Sequence, residues 1–180
     1  MNLGFDFDNV LIDSPPLIPN ALIHYLYRGK SNGTLLYRFP QYPEVLLRKI
    51  THYPIFRPPI TENISFLQHI TQNKKNKHYL ISSRFGFLKN ETNMLIKKYG
   101  FDKIFDDLYF NFNNKQPHLF KNEIIKKLHV HRYVDDDLPL LHFLAKSNPK
   151  TLFFWLNPKK NETLHKNLFA ISNIYDLLKK

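Results

Sequence analysis

The segment from Leu3 to Leu11, which reads LGFDFDNVL, decides the fold because it looks like a buried strand that ends in two carboxylates. Side chains alternate across a strand, so Asp6 and Asp8 leave its end on the same side. Two carboxylates so near to each other repel, and a shared proton or a bound cation usually offsets this repulsion. The segment therefore predicts a chemical site at the carboxyl end of a first strand.

The composition is that of one folded domain. The chain has 180 residues, of which 43% are hydrophobic, so it is long enough to bury a substantial core. It contains no cysteine, which excludes disulfides and thiolate metal sites. The acidic strand begins too early to leave room for a cleaved leader, and the longest apolar runs are too short to cross a bilayer. We expect a soluble, cytoplasmic protein with no membrane partner.

The charge balance is strongly basic, with 26 Lys and Arg residues against 15 Asp and Glu residues and a net charge of +11. Such a charge is typical of proteins that bind nucleic acids or anionic substrates. However, the Lys pairs are dispersed along the chain, as on an ordinary solvated surface. A nucleic-acid partner is therefore compatible with the composition but not favoured by it.

Strand-like and helix-like segments alternate along the chain. Strands are predicted at 3–7, 78–81, 108–110, 132–134 and 151–156, with helical patterns between them and a last helix around 174–178. This alternation is typical of an α/β fold with a doubly wound parallel sheet. Such sheets bind ligands at the carboxyl ends of their strands.

Residues 13–59 interrupt this alternation. Eight of the 12 prolines lie between Pro15 and Pro59, and residues 13–59 hold six basic against two acidic residues. Two helical patches are predicted, at 17–27 and at 44–53. One interpretation is a small, basic, helical cap inserted after the first strand, with the core formed by 1–12 and 60–180. The other is a proline-rich loop packed on the side of the sheet.

Polar residues of complementary chemistry follow the predicted strands. In a parallel sheet all of them would meet Asp6 and Asp8 at one edge. Carboxylates with Mg²⁺, a hydroxyl and a lysine are what phosphoryl transfer requires. The residues concerned are Ser82, Ser83 and Arg84 after the second strand, Lys121 in the helix before the fourth strand, and Asp135, Asp136 and Asp137 after it.

In this order the motifs resemble those of haloacid dehalogenase (HAD) superfamily phosphatases. Segment 6–10 matches the first motif, DxDx[TV], and segment 80–82 matches the second, a Ser or Thr that ends a strand. Lys121 matches the third motif, and segment 134–136 matches the acidic fourth. The resemblance implies a Rossmann-like core, with a cap in the slot of residues 13–59. Ser-Ser-Arg and Val-Asp-Asp-Asp are also loosely similar to 5′-nucleotidases of the deoxyribonucleotidase kind.

The resemblance further implies a Mg²⁺-dependent phosphomonoester hydrolase that acts on a small phosphorylated metabolite or nucleotide. Asp6 would be the nucleophile that becomes an aspartyl-phosphate, and Asp8 would be the general acid and base, with its backbone carbonyl also touching the metal. Ser82 would bind the phosphate, and Lys121 would stabilise its charge. On sequence Ser83 is interchangeable with Ser82, and Arg84 could either reach the phosphate or form a surface salt bridge. Asp135 and Asp136 would complete the Mg²⁺ shell. Asn9 stands where relatives often carry a small residue, frequently glycine.

Several alternatives stay open at this point. Lys115 competes with Lys121 for the role of the lysine, and one of Asp135, Asp136 and Asp137 could simply cap the segment before Pro139. A receiver domain would carry its phosphorylated Asp after the third strand, where this chain has Asn111 and Asn113. A phosphatase acting on nucleic-acid ends, and a non-catalytic binding protein that keeps the fold, are the remaining alternatives.

Overall fold

A single parallel sheet organises the computed structural model, which describes residues 1–15, 35–72, 74–156 and 162–179. The strand order is β3-β2-β1-β4-β5-β6, and every neighbouring pair is parallel. The central position therefore belongs to β1 and β4, which carry the two acidic motifs. The strands are β1 (Asn2–Phe5), β2 (Lys77–Ser82), β3 (Asp107–Phe110), β4 (Arg132–Asp135), β5 (Leu152–Leu156) and β6 (Leu168–Ile171).

The helices that connect the strands are α1 (Tyr42–Thr51), α2 (Thr61–Ile70), α3 (Lys89–Tyr99), α4 (Phe101–Ile104), α5 (Pro117–Lys127) and α6 (Leu138–Ser147). Two short 3₁₀ helices span Gly86–Leu88 and Ile174–Leu178. The α/β fold with a doubly wound parallel sheet is thus confirmed. The predicted helix at 44–53 corresponds to α1, and the predicted helix at 17–27 lies outside the described residues.

One strand of the sheet, β6, was not predicted. The last predicted helix is present and is a 3₁₀ helix, over residues 174–178. In β6, Leu168 and Ile171 are buried whereas Ala170 is exposed, so its burial has no alternating pattern to recognise.

Helices cover both faces of the sheet. On one face Tyr133 and Phe153 pack with residues of α5 and α6 such as Ile125 and Leu144. On the other face Phe5 belongs to a core cluster to which α2, α3 and the C-terminal 3₁₀ helix contribute. Each fully buried side chain of this kind contributes about 1.5–3 kcal/mol. With both faces covered, the carboxyl edge of the sheet, at which its strands end, is where a ligand can enter.

The strand register brings the motif residues together at this carboxyl edge. Phe5 pairs with Leu80 of β2 and with Val134 of β4, and the Asp6 amide donates to the Val134 carbonyl at 3.0 Å. Asp6 therefore lies level with Asp135. Ser82 ends the neighbouring strand β2.

Gly4 allows the Tyr133 ring to pack closely against β1. A Cβ atom at this position would lie 2.7 Å from Cδ2 of the Tyr133 ring, so a larger residue would displace the ring. The Tyr133 hydroxyl donates to Asp135 Oδ2 at 3.0 Å. Glycine in β1 is thus needed so that Tyr133 can support Asp135.

The described part of the predicted cap, residues 35–59, returns to the core beside β1. The Asp13 amide donates to the Pro58 carbonyl at 2.9 Å, and Ile12 forms an antiparallel bridge with Pro59. Helix α1 contacts the 3₁₀ turn Gly86–Leu88 after β2. The exact division into a core and a cap stays a prediction. No helix in the described ranges is long and apolar enough to cross a membrane.

Candidate active site

A buried lysine joins two of the predicted carboxylates. Lys121 Nζ, on the second turn of α5, lies 2.7 Å from Asp6 Oδ1 and 2.7 Å from Asp135 Oδ2. All three side chains are almost fully buried, with Lys121 only 2% exposed. A lone buried charge costs several kcal/mol, so each group depends on the others. This triad ties β1, β4 and α5 together at the carboxyl edge.

The protonation of the triad follows from burial and from these contacts. Burial, together with the charges of Asp135, Asp8 and Asp136, raises the pKa of Asp6, and Lys121 only partly opposes this. Burial works against the charged lysine, but Asp135 and Asp6 prevail and raise the pKa of Lys121. Lys121 is therefore a permanent cation that orients Asp6 through one of its two oxygens.

Asp136 completes an acidic cluster. One carboxylate oxygen each from Asp6, Asp135 and Asp136 lies within 4.8 Å of the others. Asn9 Nδ2 donates to Asp136 Oδ2 at 2.8 Å. Burial and the charge of Asp135 raise the pKa of Asp136 to about 7. When all three carboxylates are ionised, their negative charge exceeds the single positive charge of Lys121.

This cluster fits a Mg²⁺ ion. Its three carboxylates are hard oxygen donors, the type of ligand that Mg²⁺ prefers. Lys121 balances one of their negative charges and leaves an excess that suits a divalent cation. Asp6, Asp135 and Asp136 would hold the ion. The Asp8 side chain lies outside the cluster and pairs with two arginines, while the contact of its backbone carbonyl with the metal stays a prediction.

Two arginines hold Asp8. Arg84 donates from Nε to Asp8 Oδ2 at 2.8 Å and from Nη2 to Oδ1 at 2.7 Å, and Arg57 also pairs with Oδ1. Although burial acts in the opposite direction, these guanidinium groups hold the pKa of Asp8 well below its ordinary value. Asp8 is thus ionised at neutral pH. In this arrangement it can accept a proton but has none to donate.

The serines of the second motif lie at the end of β2. Ser82 is buried, and its Oγ accepts a long hydrogen bond of 3.4 Å from the Arg84 amide. Its own proton is donated to no residue in the described ranges, so it is available to a ligand oxygen. Ser83 lies beside it and is half-buried. Arg84 lines the same cavity as Ser82 and donates to Asp8, and its contact with phosphate stays a prediction.

The structure separates the two lysines that the sequence left as alternatives. Lys115 lies in the loop before α5, where its exposed Nζ pairs with Glu123 at 2.6 Å. It does not line the cavity that contains Asp6, whereas Lys121 does. Geometry therefore favours Lys121. Asp137 caps α6 by accepting from the Leu140 amide, so it is the aspartate of the three that takes the capping role.

A cavity of about 140 Å³ opens at the carboxyl edge. Its wall includes three residues that the sequence analysis did not single out: Arg48 and His52 from α1 and its end, and Arg57 beyond it. The basic character of residues 13–59 was their only signal. The predicted residues that line the same cavity are Asp6, Asp8, Ser82, Ser83, Arg84, Lys121, Asp135 and Asp136.

His52 is a buried, neutral member of this wall. Its Nδ1 lies 2.8 Å from the Arg48 carbonyl, which can only accept, so Nδ1 carries the proton. Burial and the nearby charges of Arg84 and Arg57 hold the pKa of His52 well below its ordinary value. The imidazole therefore offers Nε2 as a hydrogen-bond acceptor.

Comparison with solved structures identifies the fold. A haloacid dehalogenase-like family hydrolase from Xanthomonas campestris is 10% identical to this chain, with a TM-score of 0.60, and the match covers 96% of this chain and 90% of the other. The fold is that of the HAD superfamily. A HAD-superfamily hydrolase from Ehrlichia chaffeensis gives the same result, with 12% identity, a TM-score of 0.56 and coverage of 98% and 93%.

A third structure with the HAD fold was solved with ligands. It is a HAD family enzyme from Bacteroides thetaiotaomicron, an aspartate-to-alanine mutant in complex with magnesium and inorganic phosphate. Its identity is 10% and its TM-score 0.56, over 89% of this chain and 95% of that one. No protein-family model matches the sequence, and no curated protein matches it significantly. The likeness to 5′-nucleotidases gains no support from these structures.

Proposed function

We propose that the protein is a Mg²⁺-dependent phosphomonoester hydrolase that acts through an aspartyl-phosphate on Asp6. The observation that carries the proposal is the contact of Lys121 Nζ with Asp6 Oδ1 and Asp135 Oδ2, at 2.7 Å each. All three of these residues line the cavity, as do Asp136 and Ser82. A magnesium ion held there would offset the repulsion between these carboxylates and a phosphate dianion.

The first step is attack by Asp6. Lys121 engages Oδ1, and Oδ2 accepts no hydrogen bond from the described residues, so Oδ2 is the available nucleophile. A bond forms between Oδ2 and phosphorus, and the bond between phosphorus and the ester oxygen breaks. Lys121 and the Ser82 hydroxyl would stabilise charge on the phosphoryl oxygens. The leaving oxygen departs as an anion or takes up a proton.

The second step is hydrolysis of the aspartyl-phosphate. The ionised Asp8 carboxylate accepts a proton from water as the water oxygen attacks phosphorus, which releases phosphate and regenerates Asp6. Because Arg84 and Arg57 favour the ionised form of Asp8, this proton passes on to solvent, and Asp8 holds none for the leaving oxygen of the next substrate. Aryl phosphates, whose leaving oxygens need little protonation, should therefore be good substrates.

The size and charge of the cavity support a small phosphorylated metabolite or a nucleotide as substrate. Its volume of about 140 Å³ lies below the roughly 300–1,000 Å³ of pockets for drug-sized ligands. It therefore fits a phosphate and little more, while the rest of the substrate would extend to the mouth. Three arginines in the wall, Arg48, Arg57 and Arg84, pair within the described ranges with two carboxylates, those of Glu44 and Asp8, and this balance favours an anionic ligand on that side.

The decisive experiment measures hydrolysis of an aryl phosphate with Mg²⁺ and with a chelator. The wild-type protein is compared with Asp6→Asn and with Asp102→Asn, a matched control because Asp102 is exposed on α4. We expect turnover that requires Mg²⁺, is lost in Asp6→Asn and persists in Asp102→Asn. Equal rates in the wild-type and Asp6→Asn proteins would contradict the proposed nucleophile.

The charge of +11 is the observation behind a second candidate, a phosphatase that acts on nucleic-acid ends. Binding to 5′-phosphorylated oligonucleotides that weakens steeply with salt, together with release of their phosphate, would favour it over a metabolite phosphatase. No turnover of any phosphate ester, with Mg²⁺ binding also lost, would indicate the non-catalytic alternative. The cytoplasmic location stays a prediction.

A further inference from the structure

Asn9 turns the chain just beyond the paired aspartates. Its backbone is left-handed, with φ of 57°, and its amide donates to the Ile12 carbonyl at 2.7 Å while the Leu11 amide returns to the Phe7 carbonyl. Glycine adopts this conformation without cost, and asparagine is among the few other residues that tolerate it. The turn alone therefore gives no reason for an amide side chain at this position.

The Asn9 side chain has a separate task. Its Nδ2 donates to Asp136 Oδ2 at 2.8 Å, and its Oδ1 accepts from the Ser14 hydroxyl at 2.6 Å. A carboxylate can only accept a hydrogen bond, so the NH₂ group must face Asp136. Ser14 secures the opposite end of the amide. The loop after β1 thus reaches across 127 residues of sequence to the acidic segment after β4.

Asp136 is consequently anchored at two points. Trp155 Nε1 donates to its carbonyl oxygen at 3.1 Å and fixes the peptide, while Asn9 fixes the carboxylate. Oδ1 of Asp136 accepts no hydrogen bond within the described ranges and is available to a cation. Without Asn9, repulsion from Asp6 and Asp135 would favour a carboxylate turned away from the cluster.

We propose that Asn9 is a positioning residue that holds Asp136 in the orientation needed to bind a divalent cation. The inference rests on the proposed function, because the cation concerned is the Mg²⁺ of that hydrolase. Partners that orient metal ligands typically account for 10- to 100-fold in metal affinity. The residue that provides the left-handed turn would thus also organise the metal site.

The test measures Mg²⁺ binding by calorimetry on the free protein, without substrate. Asn9→Gly keeps the left-handed turn and removes the amide. Asn114→Gly is the matched control, since Asn114 has φ of 58°, its side chain accepts from the Gly86 amide, and it does not line the cavity that contains Asp136. We expect Asn9→Gly to bind Mg²⁺ about 10- to 100-fold more weakly and Asn114→Gly to bind it like the wild type.

Activity and a second variant complete the test. Because Asn9→Gly should change only the affinity for Mg²⁺, saturating Mg²⁺ should restore its hydrolysis rate. Ser14→Ala keeps the Asn9 amide but removes the hydrogen bond from the Ser14 hydroxyl to Asn9 Oδ1. This variant should also weaken Mg²⁺ binding, by a smaller factor. If Asn9→Gly does not fold, the Mg²⁺ affinity of Ser14→Ala tests the proposal. Unchanged affinity in these variants overturns the proposal, although Mg²⁺-dependent hydrolysis by the wild type would still stand. A wild-type protein that neither binds Mg²⁺ nor hydrolyses esters overturns both.

Discussion

Arg84 grips both oxygens of Asp8, with Nε 2.8 Å from Oδ2 and Nη2 2.7 Å from Oδ1. Its guanidinium carbon lies 4.6 Å from the centre of the Phe7 ring, and Nη1 donates to Thr92 Oγ1 at 3.3 Å. The planar fork, the aromatic contact and the hydroxyl leave the arginine little freedom. The orientation of Asp8 is therefore set by a residue of the second motif loop.

Replacing Arg84 by Lys should lower the hydrolysis rate even though the positive charge remains. A lysine offers a point charge rather than a fork, so Asp8 would lose its fixed orientation. We expect kcat for an aryl phosphate to fall by about 10- to 100-fold, the usual effect of a misplaced catalytic group. Arg132→Lys, a change on β4 where the arginine donates to the Leu177 carbonyl, is the control. Wild-type kcat in Arg84→Lys would contradict a role for this contact.

In the metal-free protein, the contribution of Asp136 to stability should fall as pH rises towards neutrality, opposite in sign to that of His52, whose pKa is lowered. Asp136 holds its proton in the folded state up to a pKa of about 7, whereas in the unfolded chain it ionises near 3.8. Between these values the folded state binds more protons at Asp136, so this contribution to the free energy of unfolding decreases with rising pH. Asp6, whose pKa burial also raises, adds to the trend. Melting temperatures in a chelator, from about pH 5 to about pH 8, measure this decline.

Two comparisons isolate the carboxylates responsible for that pH dependence. Asp136→Asn cannot ionise and should flatten the decline, whereas the exposed control Asp102→Asn should keep it. Mg²⁺ binds the ionised form and should therefore raise the melting temperature more at about pH 8 than at about pH 5. A decline that is identical in Asp136→Asn and wild type would show that other groups cause it.

Lys121→Met should destabilise the fold far more than the same change at Lys115. Removing the buried Lys121 charge leaves Asp6 and Asp135 facing each other, which should cost about 3–5 kcal/mol of unfolding free energy. The Lys115 pair with Glu123 is exposed and should contribute at most about 1 kcal/mol. Urea unfolding measures both.

A double variant tests the cause of this loss. Adding Asp6→Asn to Lys121→Met removes one of the two buried carboxylates that have lost their lysine partner, and it should recover part of the lost stability. If the double variant is as unstable as the sum of the single variants, the lysine is needed for its packing rather than for its charge.

Tyr37→Phe should loosen the segment that precedes α1. The Tyr37 hydroxyl donates to Asp137 Oδ2 at 2.6 Å, and its backbone exchanges hydrogen bonds with the Gln116 side chain. A hydrogen bond to a charged group contributes about 1.5–3 kcal/mol, so we expect a loss of that size and faster amide exchange at Tyr37. Tyr42→Phe, at an exposed ring, should change neither.

The sequence by itself determined the sheet and which residues meet at its carboxyl edge. An apolar strand that ends in Asp6 and Asp8, followed by alternating helices and strands, specifies parallel strands whose ends meet at one edge. The helix that begins before Lys121 and the strand that ends at Asp135 then had to converge on Asp6. These relations follow from periodicity and chain order, which are local properties of a sequence.

Only the tertiary structure decided which partners the side chains of Asp8, Asn9 and His52 contact. Asp8 turns to Arg84 and Arg57, which are 76 and 49 residues away, and Asn9 reaches Asp136 across 127 residues. The position of His52 in the wall likewise depends on how α1 returns to the core. These contacts depend on loop closure and on the choice of side-chain rotamers, which hydrophobic periodicity does not encode.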